Sequence, residues 1–245
     1  TFVVKQLKKY KLIEGAVQKL QEILRLPSPP ARMECFDISH FSGTDVVASM
    51  TVFQSGEPKK SAYRRFKVKV QQNNDFESMH ETLLRRLSKI GNSEDESFNA
   101  HPDLIVIDGG KGQLSRAQDA MREAGVYVNM ISLAESDEII YFPDKSEGLY
   151  LSRRSPALAL LMRLRDEAHR FAVDYATRLH TNRLKVSSLK DIEGIGDKKT
   201  DILYNHFKTI DRIKAASVDT LASVKGISRG DAEKIRAFFD GKNQK

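Results

Sequence analysis

The apolar positions fall into a helical period, then strand-like runs, then helices again. Residues 4–25 space Leu12, Val17, Leu20, Ile23 and Leu24 as one face of an amphipathic helix, which Pro27-Ser28-Pro29-Pro30 stops. Residues 32–39, 45–54 and 61–70 read as three strands, separated by Ser42-Gly43-Thr44 and Ser55-Gly56-Glu57-Pro58, so a meander of hairpins is expected. Residues 75–90 form a helix with Phe76, Met79, Leu83, Leu84 and Leu87 on its apolar side, followed by a polar loop from Gly91 to Pro102. A strand at 103–108, a helix from Gln113 to Ala124 closed by Gly125, and a strand at 127–134 predict a parallel strand pair. Residues 138–152 suggest a short hairpin, and Pro156 opens a long helix running to roughly Leu184. This order predicts an α/β fold: a ribonuclease H-like mixed sheet with flanking helices.

Residues 185–245 have a different character, with short helical segments, glycine turns and no strand. Ser187–Phe207 and Thr220–Phe239 align as an internal repeat, so a small all-α tandem helix-hairpin-helix domain is expected. The predicted division is a linker helix over 1–30, the sheet domain over 31–184 and the tandem repeat over 185–245.

Composition narrows the class. Of 245 residues, 40% are hydrophobic and 30% charged, which suits a folded domain rather than a disordered chain. No apolar run approaches the ~18 residues needed to span a membrane, and no leader is evident. One cysteine, Cys35, permits no internal disulfide, so a reducing, cytoplasmic setting is expected. The chain does not begin with Met, which reads as a piece of something longer. A net charge of +7 favours a polyanionic partner, and the cations cluster at Arg153-Arg154, Arg163–Arg170 and Arg178–Lys190.

Candidate chemistry lies at the ends of two strand-like runs. Asp37 interrupts Cys35-Phe36-Asp37-Ile38, and Asp108 ends Leu104-Ile105-Val106-Ile107-Asp108. A buried carboxylate needs a partner or a metal, and two at neighbouring strand ends suggest a hard divalent cation, Mg²⁺ or Mn²⁺. His169, on a helix, is a candidate third ligand or general base. Taken singly, Asp108 is equally a turn residue before two glycines, Asp75 a helix N-cap, and His169 a surface histidine. Gly109-Gly110-Lys111-Gly112 lacks the spacing of a nucleotide-binding loop, although Lys111 and backbone amides there suit a phosphate. In the tail, Gly194-Ile195-Gly196 with Lys198 and Lys199, and the degenerate Gly226-Ile227-Ser228 with Arg229, present turn amides and cations to DNA phosphates, without reading bases.

These segments together resemble UvrC, the nuclease subunit of bacterial nucleotide excision repair, over its C-terminal half. The resemblance rests on Glu34-Cys35-Phe36-Asp37-Ile38-Ser39-His40, Tyr63-Arg64-Arg65-Phe66, Asp103 through Leu114, Arg165 through Ala172 and the tandem glycine turns. It implies an endonuclease making the incision 5′ to a lesion in double-stranded DNA. Asp37, Asp108 and His169 fall on the family's catalytic positions, Asp75 on a further carboxylate, and UvrB is the implied partner. It also implies that the domain for 3′ incision and the segment that engages UvrB are not in this chain. Glu135 stands where the resemblance calls for lysine. Two other readings compete: a non-catalytic DNA-binding scaffold, and a nuclease of ribonuclease H or resolvase type acting on hybrids or junctions.

Overall fold

A computed structural model describes residues 2–41, 45–68, 74–135, 137–143 and 145–242, the side chains of 2–3, 41, 45, 176–188 and 241–242 excepted. The chain forms two compact units, Thr1–Val173 and Asp174–Lys245.

The first unit is built on a seven-stranded mixed sheet. At its centre β1 (Arg32–Phe41) pairs antiparallel with β2 (Asp45–Gln54) in one continuous register from Arg32↔Gln54 to Phe41↔Asp45. Two short strands, β3 (Glu57–Pro58) and β4 (Arg64–Lys67), pair with the outer side of β2. On the other side of β1, β5 (Leu104–Asp108) and β6 (Met130–Ala134) run parallel to it, and β7 (Ile139–Tyr141) closes that edge antiparallel to β6. The helix expected between the parallel pair is α4 (Lys111–Ala124), following α2 (Asp75–Leu87) and the single turn α3 (Glu96–Asn99) in the chain.

Three expected strands are shorter than their apolar runs. Over 61–70 only β4 is laddered: a 3₁₀ turn at Lys60–Ala62 buries Ala62 and Tyr63 by turning the chain rather than by pairing it. Residues 69 and 70 of that run lie outside the described residues. Before β6, Val128 is buried with its amide on Met121 Sδ, so it packs without pairing. The hairpin at 138–152 reduces to β7 and one bridge, Ile140↔Leu149.

Side-chain alternation divides the core in two. Phe36, Ile105 and Ile107 face α2 and α4, against Met79, Leu83, Leu87, Leu114 and Ala117. Met33, Cys35, Leu104, Val106 and Leu133 face the opposite way, against α1 (Phe2–Leu24) and α5 (Pro156–Ser187). The second half of α1 belongs to this core through Ala16, Val17, Leu20 and Leu24, so the helix read as a linker is packed at its C-terminal end. Among the described residues, no helix is long and apolar enough to cross a membrane.

One polar cluster anchors β1 from the α2 side. Glu34 is fully buried and accepts from Arg86 Nε at 2.9 Å, Arg86 Nη2 at 2.7 Å and Arg32 Nε at 2.8 Å. Arg86 also donates to the carbonyls of Phe98 (2.9 Å) and Ala100 (2.6 Å), and Arg32 to that of Ser97 (3.0 Å). The polar loop after α2 is thus held by cations buried beneath it.

The second unit contains a 3₁₀ turn (Ser188–Asp191) and α6 (Asp197–Phe207), α7 (Ile210–Ala215), α8 (Val218–Ala222) and α9 (Arg229–Lys242). Leu189, Ile195, Leu203, Ile213, Leu221, Ile227 and Ile235 form its core, drawn from both sequence repeats.

Removing one member of a buried ion cluster strands the others without solvent. Arg86→Met should therefore lower the unfolding free energy by about 3–5 kcal/mol in urea denaturation. A loss under about 1 kcal/mol, the scale of a surface pair, would contradict this account.

Candidate active site and nucleic-acid interface

Parallel pairing brings the two aspartates together. Phe36 pairs with Ile107, so Asp37 and Asp108 are the next residues of adjacent parallel strands. Alternation turns both toward α5, the face that buries Met33, Cys35, Leu104 and Val106. Asp37 is 7% exposed, and Asp108 is partly buried. Ser39, two residues on from Asp37, donates its hydroxyl to Asp37 Oδ2 at 2.8 Å.

The same row continues across the sheet. Asp37 pairs with Ser49 on β2, and Ser49 with Arg65 on β4. These two side chains hold α5 by its backbone: Ser49 Oγ donates to the Ala168 carbonyl at 3.3 Å and Arg65 Nη2 to that of Phe171 at 3.3 Å. Arg65 also lies over the Phe171 ring, 3.7 Å from its centroid, and Tyr63 donates to Glu167 Oε1 at 3.0 Å. These bonds set the register of the α5 turn carrying His169. Four residues earlier on that face, Arg165 bonds Glu138 at 2.5 Å and Asp166 at 3.0 Å.

The charges of these groups act on one another. Burial pushes the Asp37 carboxyl up; the Ser39 bond and the charge of His169 oppose this, and Glu135 and Asp75 add to it. Asp108 is pushed up to about 7, first by burial and then by Asp37, with Arg165 and His169 opposing and Glu135 reinforcing. Ser39, Arg165 and Glu135 were not singled out as site residues from the sequence. Their signals were spacing: Ser39 at i+2 on Asp37's strand face, Arg165 at i−4 from His169, and Glu135 just past a strand parallel to that of Asp108.

The remaining candidates are placed as follows. His169 is exposed. Asp75 opens α2, but the N-cap is Asn74, whose side chain accepts from the Glu77 amide at 3.1 Å. Asp75 instead bonds His40 Nε2 at 2.5 Å. Lys111 is engaged with the Ser146 carbonyl, and the Gly110 amide is taken by Gln113 Oε1 at 3.0 Å. Among the described residues, no three His, Cys, Asp or Glu side chains converge closely enough to enclose an ion. The pair of buried, mutually repelling carboxylates is nonetheless a hard-oxygen donor set whose charge calls for a cation.

In the second unit the two glycine turns differ. Gly194 (φ +86°) and Gly226 (φ +99°) occupy left-handed backbone that favours glycine. Gly196 has an ordinary φ of −89°, and a Cβ there would meet nothing within 4 Å, so the fold makes no demand for glycine at this position. The α6 N-terminus it opens has no side-chain cap, and Lys198 is exposed. At the matching place in the second turn, Ser228 and Asp231 cap each other: the Ser228 amide and hydroxyl donate to Asp231 Oδ2 at 3.0 and 2.8 Å, and the Asp231 amide donates to Ser228 Oγ at 3.2 Å. Lys199 bridges the turns, from Asp231 Oδ1 (2.6 Å) to the Gly194 carbonyl (2.9 Å). Burial raises the Asp231 carboxyl, but Lys199 and Ser228 more than offset it and hold it at about 2. Arg229 is exposed, beside Asp219 at 3.2 Å.

Residues 21–173 match the model of the UvrC RNase H endonuclease domain. The chain belongs to the UvrC family. Residues 186–240 match a SAM-like helix-hairpin-helix tandem. The UvrABC system protein C of Symbiobacterium thermophilum is 43% identical over 93% of this chain and 40% of its own length. That of Syntrophomonas wolfei is 43% identical over 92% of this chain and 37% of its own length. The chain thus spans about two fifths of the curated UvrC relatives it matches. A structural likeness to human ENDOV covers 66% of this chain and 99% of that one, at 12% identity and a TM-score of 0.34.

Within this UvrC domain, Asp108 keeps its proton in the folded state over a range where the unfolded chain has released it. Its contribution to stability is therefore full below about pH 4 and lost as pH rises through about 7. Asp108→Asn should raise the thermal midpoint of the cation-free chain at about pH 8, with a smaller gain at about pH 5. Thermal denaturation in chelator checks this; a gain that does not grow with pH would remove the charge explanation.

Proposed function

We propose that the chain is a divalent-metal-dependent DNA endonuclease that makes the 5′ incision beside a lesion in nucleotide excision repair. In this reading residues 31–184 carry the chemistry and residues 185–245 a sequence-independent DNA grip. The observation that supports it most is the side-by-side placement of Asp37 and Asp108 on the face that packs against α5, the helix that carries His169.

The residues fit a divalent cation, Mg²⁺ or Mn²⁺, which when bound supplies Lewis-acid stabilisation of charge on the phosphodiester. Asp37 and Asp108 would hold it, with His169 beside them. Ser39 fixes the orientation of the Asp37 carboxylate, and Arg165 tempers the charge at Asp108. His169, which is exposed, would take the proton of the attacking water. Asp75 acts from the edge through its bond to His40. UvrB is the proposed partner, and it would position the site. A cytoplasmic location and a place in the SOS response follow from the same reading.

Asp37→Ala and Asp108→Ala should each slow lesion-duplex incision by on the order of 10²–10³-fold or more, the scale of other lost charge-stabilising groups. Circular dichroism should be unchanged. His169→Ala should be strongly impaired and Asp75→Ala less so. The assay is single-turnover cutting with UvrB and saturating Mg²⁺ or Mn²⁺, and near wild-type rates for either aspartate variant would remove the assignment.

For the tail, Gly194, Gly196, Lys198, Lys199, Gly226 and Arg229 are the proposed phosphate-contacting set. Gly196→Val should weaken duplex binding without moving the thermal midpoint, because no protein atom crowds that site. Gly194→Val should lower the midpoint as well. Deleting residues 186–245 should flatten the salt dependence of binding. Equal affinities of deleted and intact chains across a salt series would exclude the tail as the grip.

A further inference from the structure

We propose that Tyr150, Arg153 and Arg154 form a second nucleic-acid contact, on the sheet domain itself, that takes an unpaired stretch of a DNA strand. The arginines hold its phosphates and the Tyr150 ring stacks on a base. This rests on the reading of the chain as a DNA endonuclease.

Register places the segment beside the candidate site. β7 is antiparallel to β6, and Leu149 bridges Ile140 of β7 antiparallel, so the chain at Leu149 runs in the direction of β6, β5 and β1. Asp108 pairs with Leu133, Leu133 with Ile140 and Ile140 with Leu149, in one row across the sheet. Three strand spacings of about 4.8 Å put Leu149 roughly 14 Å from Asp108. That distance is about four nucleotides of a strand at about 3.4 Å each. Lys111, which opens α4 just after Asp108, ties the loop before Leu149 to this end of the sheet through the Ser146 carbonyl.

The side chains supply the chemistry. Leu149 and Leu151 pack against the α5-side core, and Tyr150 between them is 68% exposed. The Ser155 amide donates to the Ser152 carbonyl at 2.8 Å, closing a turn whose two central residues are Arg153 and Arg154. Both arginines are exposed. None of the three side chains has a hydrogen bond, ion pair or ring contact among the described residues. The arginines of α5 are used differently: Arg163 lies beside Glu57 at 3.6 Å, and Arg165 and Arg170 bond Glu138 and Glu167 at 2.5 and 2.6 Å. The cations of the turn are thus left for a group outside the fold. Guanidinium forks match phosphate, and an open aromatic ring stacks on any base that is not already stacked within a duplex.

The test is fluorescence anisotropy of the intact 245-residue chain with a single-stranded oligonucleotide and with the duplex of the same sequence, over a salt series. The thermal midpoints of the variants should match wild type, because none of the three side chains is bonded within the fold. Tyr150→Ala should weaken single-strand binding about fivefold or more and duplex binding by less than about twofold, and Tyr150→Phe should bind both as wild type does. Arg153→Ala combined with Arg154→Ala should reduce the slope of log affinity against log salt by about 1.4 on the single strand, about 0.7 for each lost phosphate contact. Ultraviolet crosslinking of a bromouracil-substituted single strand should label the peptide that holds Tyr150. Unchanged single-strand affinity and salt slope in both the Tyr150→Ala and the double-arginine variants, or crosslinks only outside residues 149–155, would overturn the inference while leaving the endonuclease reading in place. If Asp37→Ala and Asp108→Ala cut as wild type does, the endonuclease reading fails and this inference with it.

Discussion

The parallel pairing of β1 with β5 is the constraint on which the site depends, because it sets two carboxylates side by side against their own repulsion. Asp37 and Asp108 are adjacent through Phe36↔Ile107, and burial on the α5 face makes their charges harder to bear. The ladder resists this because β1 is paired along its length with β2 and covered on both faces. Glu34, buried between Arg32 and Arg86, fixes β1 from the side opposite the aspartates. One strand thus carries an ion-paired buried acid on one face and, on the other, an acid bonded to the neutral Ser39 hydroxyl. The first stabilises the scaffold, and the second is where chemistry is proposed.

The other half of the electrostatics comes from α5. Its turn from Arg165 to Phe171 crosses the row Asp37, Ser49, Arg65 and is bonded to two of these side chains through backbone carbonyls. Backbone bonds position the turn. The charges of His169 and of Arg165, the latter bonded to Glu138 and Asp166, oppose the upward push on the Asp108 carboxyl. Cations on the helix and acids on the strand ends reach one another only through this docking.

The tail shows the same economy in a different form. In its second turn Asp231 takes the Ser228 amide, and Lys199 ties that carboxylate back to Gly194. In the first turn no side chain caps α6, and Gly196 leaves open space before it. Two segments of similar sequence thus present unequal surfaces: one turn is closed on itself and the other open to an outside anion. A serine in place of a glycine and an aspartate three residues later account for the difference.

Much of this was legible in the chain itself. Amphipathic period, glycine stops and the strand–helix–strand order determined the elements, the mixed sheet and the tandem tail, because local periodicity reports which faces must be buried. Asp37 and Asp108 were conspicuous as acids in apolar runs. Strand ends were less legible: Ala62, Tyr63 and Val128 are apolar because they are buried, and burial by packing leaves the same trace as burial by pairing. Asp75 read as a cap, yet its neighbour Asn74 caps the helix, since side-chain direction decides between adjacent polar residues. Only the tertiary structure decided that β1 lies between β2 and β5, that the α5 turn from Arg165 to Phe171 is bonded to Ser49 and Arg65, and that Lys199 binds Asp231. Each of these depends on contacts between segments far apart in the chain, and residue period carries no information about which distant segments meet.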